Sequence, residues 1–128
     1  MNLLLDTHVA IWALGEPDKL PARIRDAILD AATVHVSAAS IWEITIKFAL
    51  GRDSAPPYGG GDALRWFQEA GFDILAVSGI HAAKVESLPP LHADPFDRLL
   101  VAQAQCENLT LVSADRSVAA YFPAILTW

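Results

Sequence analysis

Cysteine is almost absent: Cys106 stands alone among 128 residues, so the chain forms neither an internal disulfide nor a cysteine-based zinc centre. Long hydrophobic runs are missing too. Uncharged apolar stretches such as Leu3–Leu5, Ile74–Val77 and Leu99–Ala102 fall far short of the ~20 residues a membrane-spanning helix needs. The start, Met1-Asn2-Leu3-Leu4-Leu5-Asp6, carries no basic residue and meets an acid at once, which does not fit a secretory signal. The expected setting is therefore the cytoplasm, without a membrane partner. Positive charge is scarce, 9 Lys+Arg against 15 Asp+Glu for a net charge of −6. Any contact with nucleic acid must then come from a local site or from metal ions, not from a generally basic surface. Neither a Gly-x-Gly-x-x-Gly nor a P-loop follows any candidate strand, which argues against nucleotide-cofactor enzymes. Repeats and low-complexity tracts are lacking as well. The one flexible-looking stretch, Ala55-Pro56-Pro57-Tyr58-Gly59-Gly60-Gly61, reads as a loop inside a single domain spanning residues 1–128.

What the chain does have is apolar residues, 53% of the total, enough for a packed core and too many for a disordered chain. Short runs rich in Leu, Val and Ile predict buried strands at Asn2–Leu5, Thr33–Val36, Phe72–Val77 and Leu109–Val112, with a weaker fifth at Ala124–Thr127. Helical patterns lie between them, at Thr7–Leu14, Pro21–Ala31, Ser37–Leu50 closed by Gly51, Asp62–Ala70 closed by Gly71, Ser78–Leu88, Pro95–Glu107 and Ala114–Tyr121. Strands that alternate with helices and are apolar throughout point to an α/β fold, a central parallel sheet of four to five strands covered by helices on both faces.

In such sheets the binding crevice opens beyond the carboxyl ends of the strands. Asp6 follows Leu5 directly, and Asp115 follows the Leu109–Ala114 stretch, so both open into one crevice if their strands are neighbours. Each also reads as the N-cap of the next helix. Glu43 sits in mid-helix within Ser40-Ile41-Trp42-Glu43-Ile44-Thr45-Ile46, where a carboxylate needs a partner or a water-filled site. An i,i+4 pair with Lys47 is the simple alternative, worth about 0.3–0.5 kcal/mol when exposed. Asp94 before Pro95 has the signature of an N-cap with proline at the first helical position, which puts Asp97 in the first turn. Asp97 there either serves the helix dipole or faces the crevice with Asp6 and Asp115.

Several carboxylates converging without cations repel one another and raise their own pKa values. A divalent cation removes that conflict, and hard oxygen donors without cysteine favour Mg²⁺ or Mn²⁺ over zinc. Hydrolysis of a phosphodiester by metal-activated water is the natural reaction for such a site. Two other readings stay open. A non-catalytic α/β binding module would use the acids structurally, and a magnesium-dependent phosphatase-type hydrolase would normally carry a second acid two residues after its nucleophilic Asp, which Asp6-Thr7-His8 lacks.

Four segments in order resemble a known family. They are Leu3-Leu4-Leu5-Asp6-Thr7-His8, then Ser37-x-x-Ser40-x-Trp42-Glu43-Ile44, then Asp94-Pro95-Phe96-Asp97-Arg98-Leu99-Leu100-Val101-Ala102-Gln103-Ala104, and Leu111-Val112-Ser113-Ala114-Asp115-Arg116. Together, from residue 1 to about 122, they resemble the PIN-domain ribonucleases, specifically the VapC-like toxins of type II toxin–antitoxin pairs. The resemblance implies a PIN-like three-layer sandwich and RNA hydrolysis dependent on Mg²⁺ (or Mn²⁺), leaving a 5′-phosphate and a 3′-hydroxyl. It assigns Asp6, Glu43, Asp97 and Asp115 to the acidic quartet that holds the metal, with Thr7 and Ser113 as supporting residues. It also implies an RNA substrate, a cognate antitoxin protein and a homodimer. Two positions depart from the family pattern: Ser117 replaces a further acid common two residues after the last one, and His8 stands where Asn or Ser is common.

In an acidic chain the RNA phosphates need local cations. Arg98 and Arg116 adjoin proposed ligands, and Lys47 and Arg52 follow Glu43, so these four are the candidate phosphate contacts, with surface ion pairing as the alternative. His92, a loop histidine beside an N-cap, reads as structural, with proton transfer as the alternative. Trp12, Trp42, Trp66 and Trp128 read as core or interface residues rather than base-stacking platforms. Helices 7–14 and 37–50 carry apolar residues on more than one face, which suits a partner protein.

Overall fold

The computed structural model describes residues 1–53 and 55–128. Four strands, β1 (Asn2–Leu5), β2 (Thr33–Ser37), β3 (Asp73–Leu75) and β4 (Thr110–Val112), form one parallel sheet in the order β3-β2-β1-β4. The helices are α1 (Thr7–Gly15), α2 (Ala22–Asp30), α3 (Ala38–Ala49), α4 (Gly60–Glu69), α5 (Gly79–Lys84), α6 (Pro95–Glu107) and α7 (Arg116–Ala119), with short 3₁₀ turns at Pro17–Lys19 and Val85–Ser87.

Both faces of the sheet are covered, which is why its strands are apolar at successive positions. Leu3, Leu5, Val34, Val36 and Val112 pack with Val9, Ile24, Ile44 and Phe67 on one side. Leu4 and Leu111 point the other way, into Leu100, Val101, Ala104 and Val118. The alternation of Leu3, Leu4 and Leu5 thus divides one strand between two cores, making the three-layer sandwich expected from the sequence. Loss of any one of these fully buried leucines to alanine costs about 2–5 kcal/mol.

Register sets the site. Leu5 lies beside Val36 on one flank and Val112 on the other, so Asp6, Ser37 and Ser113 leave three neighbouring strands at one level. The expected closures of α3 and α4 also hold: Gly51 and Gly71 adopt φ of 65° and 86°, left-handed values that glycine takes without steric cost. α4 approaches α3 so closely that a side chain at Gly60 would collide with Thr45 Oγ1, fixing the outer side of the helix that carries Glu43.

The elements differ from expectation mostly in length. The fifth strand at Ala124–Thr127 reduces to one bridge, Val112 with Leu126, held by Ser113 N–H to Leu126 O and Leu126 N–H to Leu111 O, each at 2.9 Å. The chain turns immediately before this bridge, with Ile125 N–H donating to Phe122 O at 3.4 Å, so only Leu126 reaches the sheet. β3 shrinks from Phe72–Val77 to three residues, and the helix expected over Ser78–Leu88 breaks into α5 and the turn at Val85–Ser87. The last helix keeps only Arg116–Ala119 of the expected Ala114–Tyr121, because Asp115 is its cap and not part of its body.

Candidate active site

Asp6 is buried at the carboxyl end of β1, where its carboxylate accepts from Val9 N–H at 2.9 Å as the N-cap of α1. Asp94 caps α6 in the same manner, accepting from Phe96 N–H at 2.8 Å. Asp115 caps α7, accepting from Ser117 N–H at 2.8 Å. Capping and convergence are therefore not alternatives at Asp6 and Asp115. One carboxylate oxygen serves the helix start, and the residue as a whole still lines a shared pocket.

That pocket, of about 200 Å³, is lined by Asp6, Thr7, His8, Glu43, Lys47, His92, Asp94, Asp97 and Asp115. All four acids of the quartet meet there, delivered by β1, α3, α6 and the end of β4. Glu43 is 5% exposed, and both of its oxygens are engaged. Thr7 Oγ1 donates to Oε1 at 2.7 Å, and Lys47 Nζ donates to Oε2 at 2.6 Å, so the i,i+4 pair forms inside the site instead of on a solvated face. Ser40 Oγ lies 2.9 Å from Thr7 Oγ1, completing a polar knot between α1 and α3. Ser113 is fully buried, and its Oγ accepts from Asp115 N–H at 3.1 Å while its hydroxyl also serves Asp6.

The electrostatics are strained in the direction the sequence predicts. Burial pushes the Asp6 carboxyl up to about 6, against the opposing pull of the Ser113 and Val9 hydrogen bonds, and the Asp97 charge adds to the rise. Asp97 is also raised, first by burial and then by Asp94 and Glu43, although His92 works against this. Ionised together, these acids favour a cation. The donors are carboxylate oxygens, which suits a hard divalent ion.

The sequence reads His92 as structural, with proton transfer as the alternative, and the structure places it in the pocket. Its Nε2 lies 2.8 Å from Asp97 Oδ2 and 3.5 Å from Asp115 Oδ2. Two positions ahead of a proline-marked N-cap, it is carried back over the first turn of α6, and that short spacing was the available signal. Arg98 corrects an expectation in the other direction. Its guanidinium donates to Pro89 O and Tyr121 Oη at 3.0 Å each and to Val85 O at 3.2 Å, so it fastens a loop within the protein and is not presented to a phosphate. Lys47 lines the pocket but is paired with Glu43, whereas Arg52 and Arg116 are exposed. Of the tryptophans, Trp12 packs against the core, Trp66 meets Tyr58 edge-on with centroids 4.9 Å apart, and Trp42 is 61% exposed.

A parallel α/β sandwich with a carboxylate pocket at the carboxyl edge of its sheet defines the class of protein. Its sequence matches the PIN domain family over residues 3–121. The chain belongs to that family. It is 32% identical over 119 residues to Ribonuclease VapC22 of Mycobacterium tuberculosis (strain ATCC 25618 / H37Rv), covering 90% of this chain and 88% of that protein. The fold is similar to VapBC2 from Rickettsia felis bound to a DNA fragment from their promoter, with a TM-score of 0.71 at 16% identity, covering 100% of this chain and 98% of that one. It is also similar to FitAcB from Neisseria gonorrhoeae, with a TM-score of 0.58 at 24% identity and coverage of 98% and 96%.

Proposed function

We propose that this protein is an endoribonuclease that hydrolyses RNA phosphodiesters with a divalent cation, Mg²⁺ or Mn²⁺, and acts as the toxin of a toxin–antitoxin pair. The observation that carries the chemistry is the meeting of Asp6, Glu43, Asp97 and Asp115 in one pocket, with Asp6 and Asp97 held above the ordinary carboxylate range. Such a cluster is costly by itself and becomes favourable around a cation. The name of the 32% identical relative supports the ribonuclease reading. Among the structures with this fold, one is described as a toxin–antitoxin complex from Klebsiella pneumoniae, which supports the partner.

In this reading Asp6, Asp97, Asp115 and Glu43 hold the cation. When bound, a divalent cation polarises a phosphoryl oxygen, eases formation of the nucleophile from water and offsets charge on the leaving oxygen. The remaining residues prepare the site. Thr7 fixes one oxygen of the Glu43 carboxylate, Lys47 pairs with the other, and Ser113 orients Asp6 and the backbone of Asp115. Arg52 and Arg116, both exposed, are the remaining candidates for flanking phosphates. Residues 1–128 act as a single domain, and the working compartment is the cytoplasm; among the described residues no helix is long and apolar enough to cross a membrane. A second copy of the chain pairs through the apolar surface of Trp42, Ile46, Phe96 and Leu99.

Cleavage of a structured RNA by purified protein tests the reading, with Mg²⁺ or Mn²⁺, with EDTA, and with Asp97→Asn as the control for contaminating nuclease. Metal-dependent cleavage that disappears in EDTA and in the variant is expected. Equal inactivity of wild type and variant on several RNAs, together with no Mn²⁺ binding by calorimetry, would assign the acids a structural role and favour a binding module.

A further inference from the structure

We infer that His92 is itself a metal ligand, its Nε2 adding a nitrogen donor to the oxygens of Asp97 and Asp115. The inference rests on the reading of the pocket as a cation site and goes beyond it, because nothing in the acidic quartet calls for nitrogen.

The first support is distance. Nε2 lies 2.8 Å from Asp97 Oδ2 and 3.5 Å from Asp115 Oδ2, and one donor atom from each of the three residues falls within 4.8 Å of the others. Neighbouring donors of an octahedral ion with bonds near 2.1 Å stand about 3.0 Å apart. The two separations from Nε2 bracket that value, and all three donor atoms lie within 4.8 Å of one another, close enough to share one ion.

The second support is independent of the acids and lies in how the histidine is held. His92 N–H donates to Tyr121 Oη at 3.1 Å, and the same oxygen accepts from Arg98 Nη1 at 3.0 Å. Arg98 also takes the carbonyls of Val85, Leu88 and Pro89, which fastens the chain leading to His92 onto α6, the helix that carries Asp97. An arginine with its donors spent on one loop and a tyrosine that receives the His92 backbone fix where the imidazole stands. Ligands need that kind of support, since outer contacts set their orientation.

The chemical consequence concerns which ion the site prefers. Imidazole is a borderline donor suited to transition ions, whereas Mg²⁺ prefers oxygen and retains water. With His92 as a ligand, Mn²⁺ gains on Mg²⁺ beyond what four carboxylates provide. The competing role is a hydrogen-bonding partner of Asp97 that stays outside the coordination shell.

The experiment uses the full chain with Mn²⁺ alone. Pulsed electron paramagnetic resonance on the wild type is expected to show coupling of the manganese to a ¹⁴N nucleus, and His92→Ala to lose it. Calorimetry should show Mn²⁺ affinity falling at least about tenfold in the variant, with Mg²⁺ affinity changing far less. His92 lies in a partly exposed loop, so a matching melting curve verifies that the variant is folded. Binding of Mn²⁺ without nitrogen coupling, at unchanged affinity in His92→Ala, overturns the assignment of His92 alone. Failure of the wild type to bind Mn²⁺ at all overturns the cation-site reading with it.

Discussion

Thr7 Oγ1 donates a 2.7 Å hydrogen bond to Glu43 Oε1, joining the helix that follows β1 to the helix that follows β2. Both residues are buried, at 5% exposure each. The bond fixes a side chain that would otherwise have several rotamers at the floor of the pocket. Replacing Thr7 by valine keeps the shape and deletes the donor, leaving a buried carboxylate short of one partner. RNA cleavage should fall about 10–100-fold, the usual effect of losing a contact that orients a ligand. Thr7→Ser should retain most of the activity. Initial cleavage rates at saturating Mn²⁺ measure both variants, and equal rates for Thr7→Val and wild type would show that Glu43 needs no such support.

Asp6 couples the site to stability. Its carboxyl titrates near 6 in the folded chain against an ordinary value of 3.8. A raised folded pKa on an acid means that the folded state holds the proton longer than the unfolded one. The metal-free protein therefore loses stability from this group as pH rises from about 4 to 6, and the penalty is complete above that. The upper bound of the penalty is about 3 kcal/mol by the linkage relation. Asp6→Asn removes the charge and retains the cap on Val9, because asparagine caps equally well. In EDTA the variant should be about 1–3 kcal/mol more stable than wild type at pH 7, about a third of that at pH 4.5 and nearly equal to it at pH 3, as read from urea denaturation. Mn²⁺ should reverse the order by stabilising only the wild type. A gap that does not depend on pH would contradict the burial argument.

Arg98 gives a prediction that separates a structural cation from one that meets RNA. Its guanidinium serves the Val85, Leu88 and Pro89 carbonyls and Tyr121 Oη. Hydrogen bonds from a charged donor are worth about 1.5–3 kcal/mol, so Arg98→Met should destabilise the fold by about 2–3 kcal/mol. The slope of RNA affinity against salt should stay the same, because no phosphate contact is removed. Arg116→Ala should behave in the opposite way, with stability unchanged and a shallower slope. Denaturation curves and binding titrations at several salt concentrations measure the two.

The layers of this fold were legible because each strand is a short apolar run next to a helical pattern, and because Asp6, Asp94 and Asp115 bear the mark of helix caps. Asp6 and Asp115 were legible as pocket residues for the same reason, because in a parallel sheet a cap at a strand's carboxyl end also lines the crevice. Glu43 was legible instead as a carboxylate in an apolar mid-helix setting, and Asp97 as an acid in the first turn of α6. Tertiary partners were not. Nothing local says that Arg98, next to Asp97 in sequence, turns toward the loop at 85–89, since the acceptors are backbone carbonyls that carry no residue code. His92 was hidden likewise, because its approach to Asp115 spans 23 positions and depends on Tyr121 holding its backbone. The fifth strand looked like one through its apolar letters, but a turn that Ile125 N–H closes on Phe122 O leaves only Leu126 to bridge to β4.

The last prediction concerns the surface shared by α3 and α6. Trp42 is 61% exposed and meets Phe96 edge-on, with centroids 5.5 Å apart, beside a cavity of about 400 Å³ lined by Trp42, Ile46, Pro95, Phe96 and Leu99. An aromatic pair over a cavity lined only by apolar residues is the composition of an interface centre, where tryptophan carries much of the binding energy. The same helices hold Glu43 and Asp97, so a second copy seated here would stiffen the two elements that frame the pocket. Trp42→Glu places a charge opposite its own symmetry mate and should weaken self-association by more than about tenfold, at least 1.4 kcal/mol. The substitution removes little from the core, because most of the ring faces outward, and the melting temperature of the monomer should stay within a few degrees. Light scattering across a dilution series should give a dimer for the wild type and a monomer for the variant at the same micromolar concentration. A dimer that persists in Trp42→Glu would move the contact between copies to another face and leave this surface for a different protein.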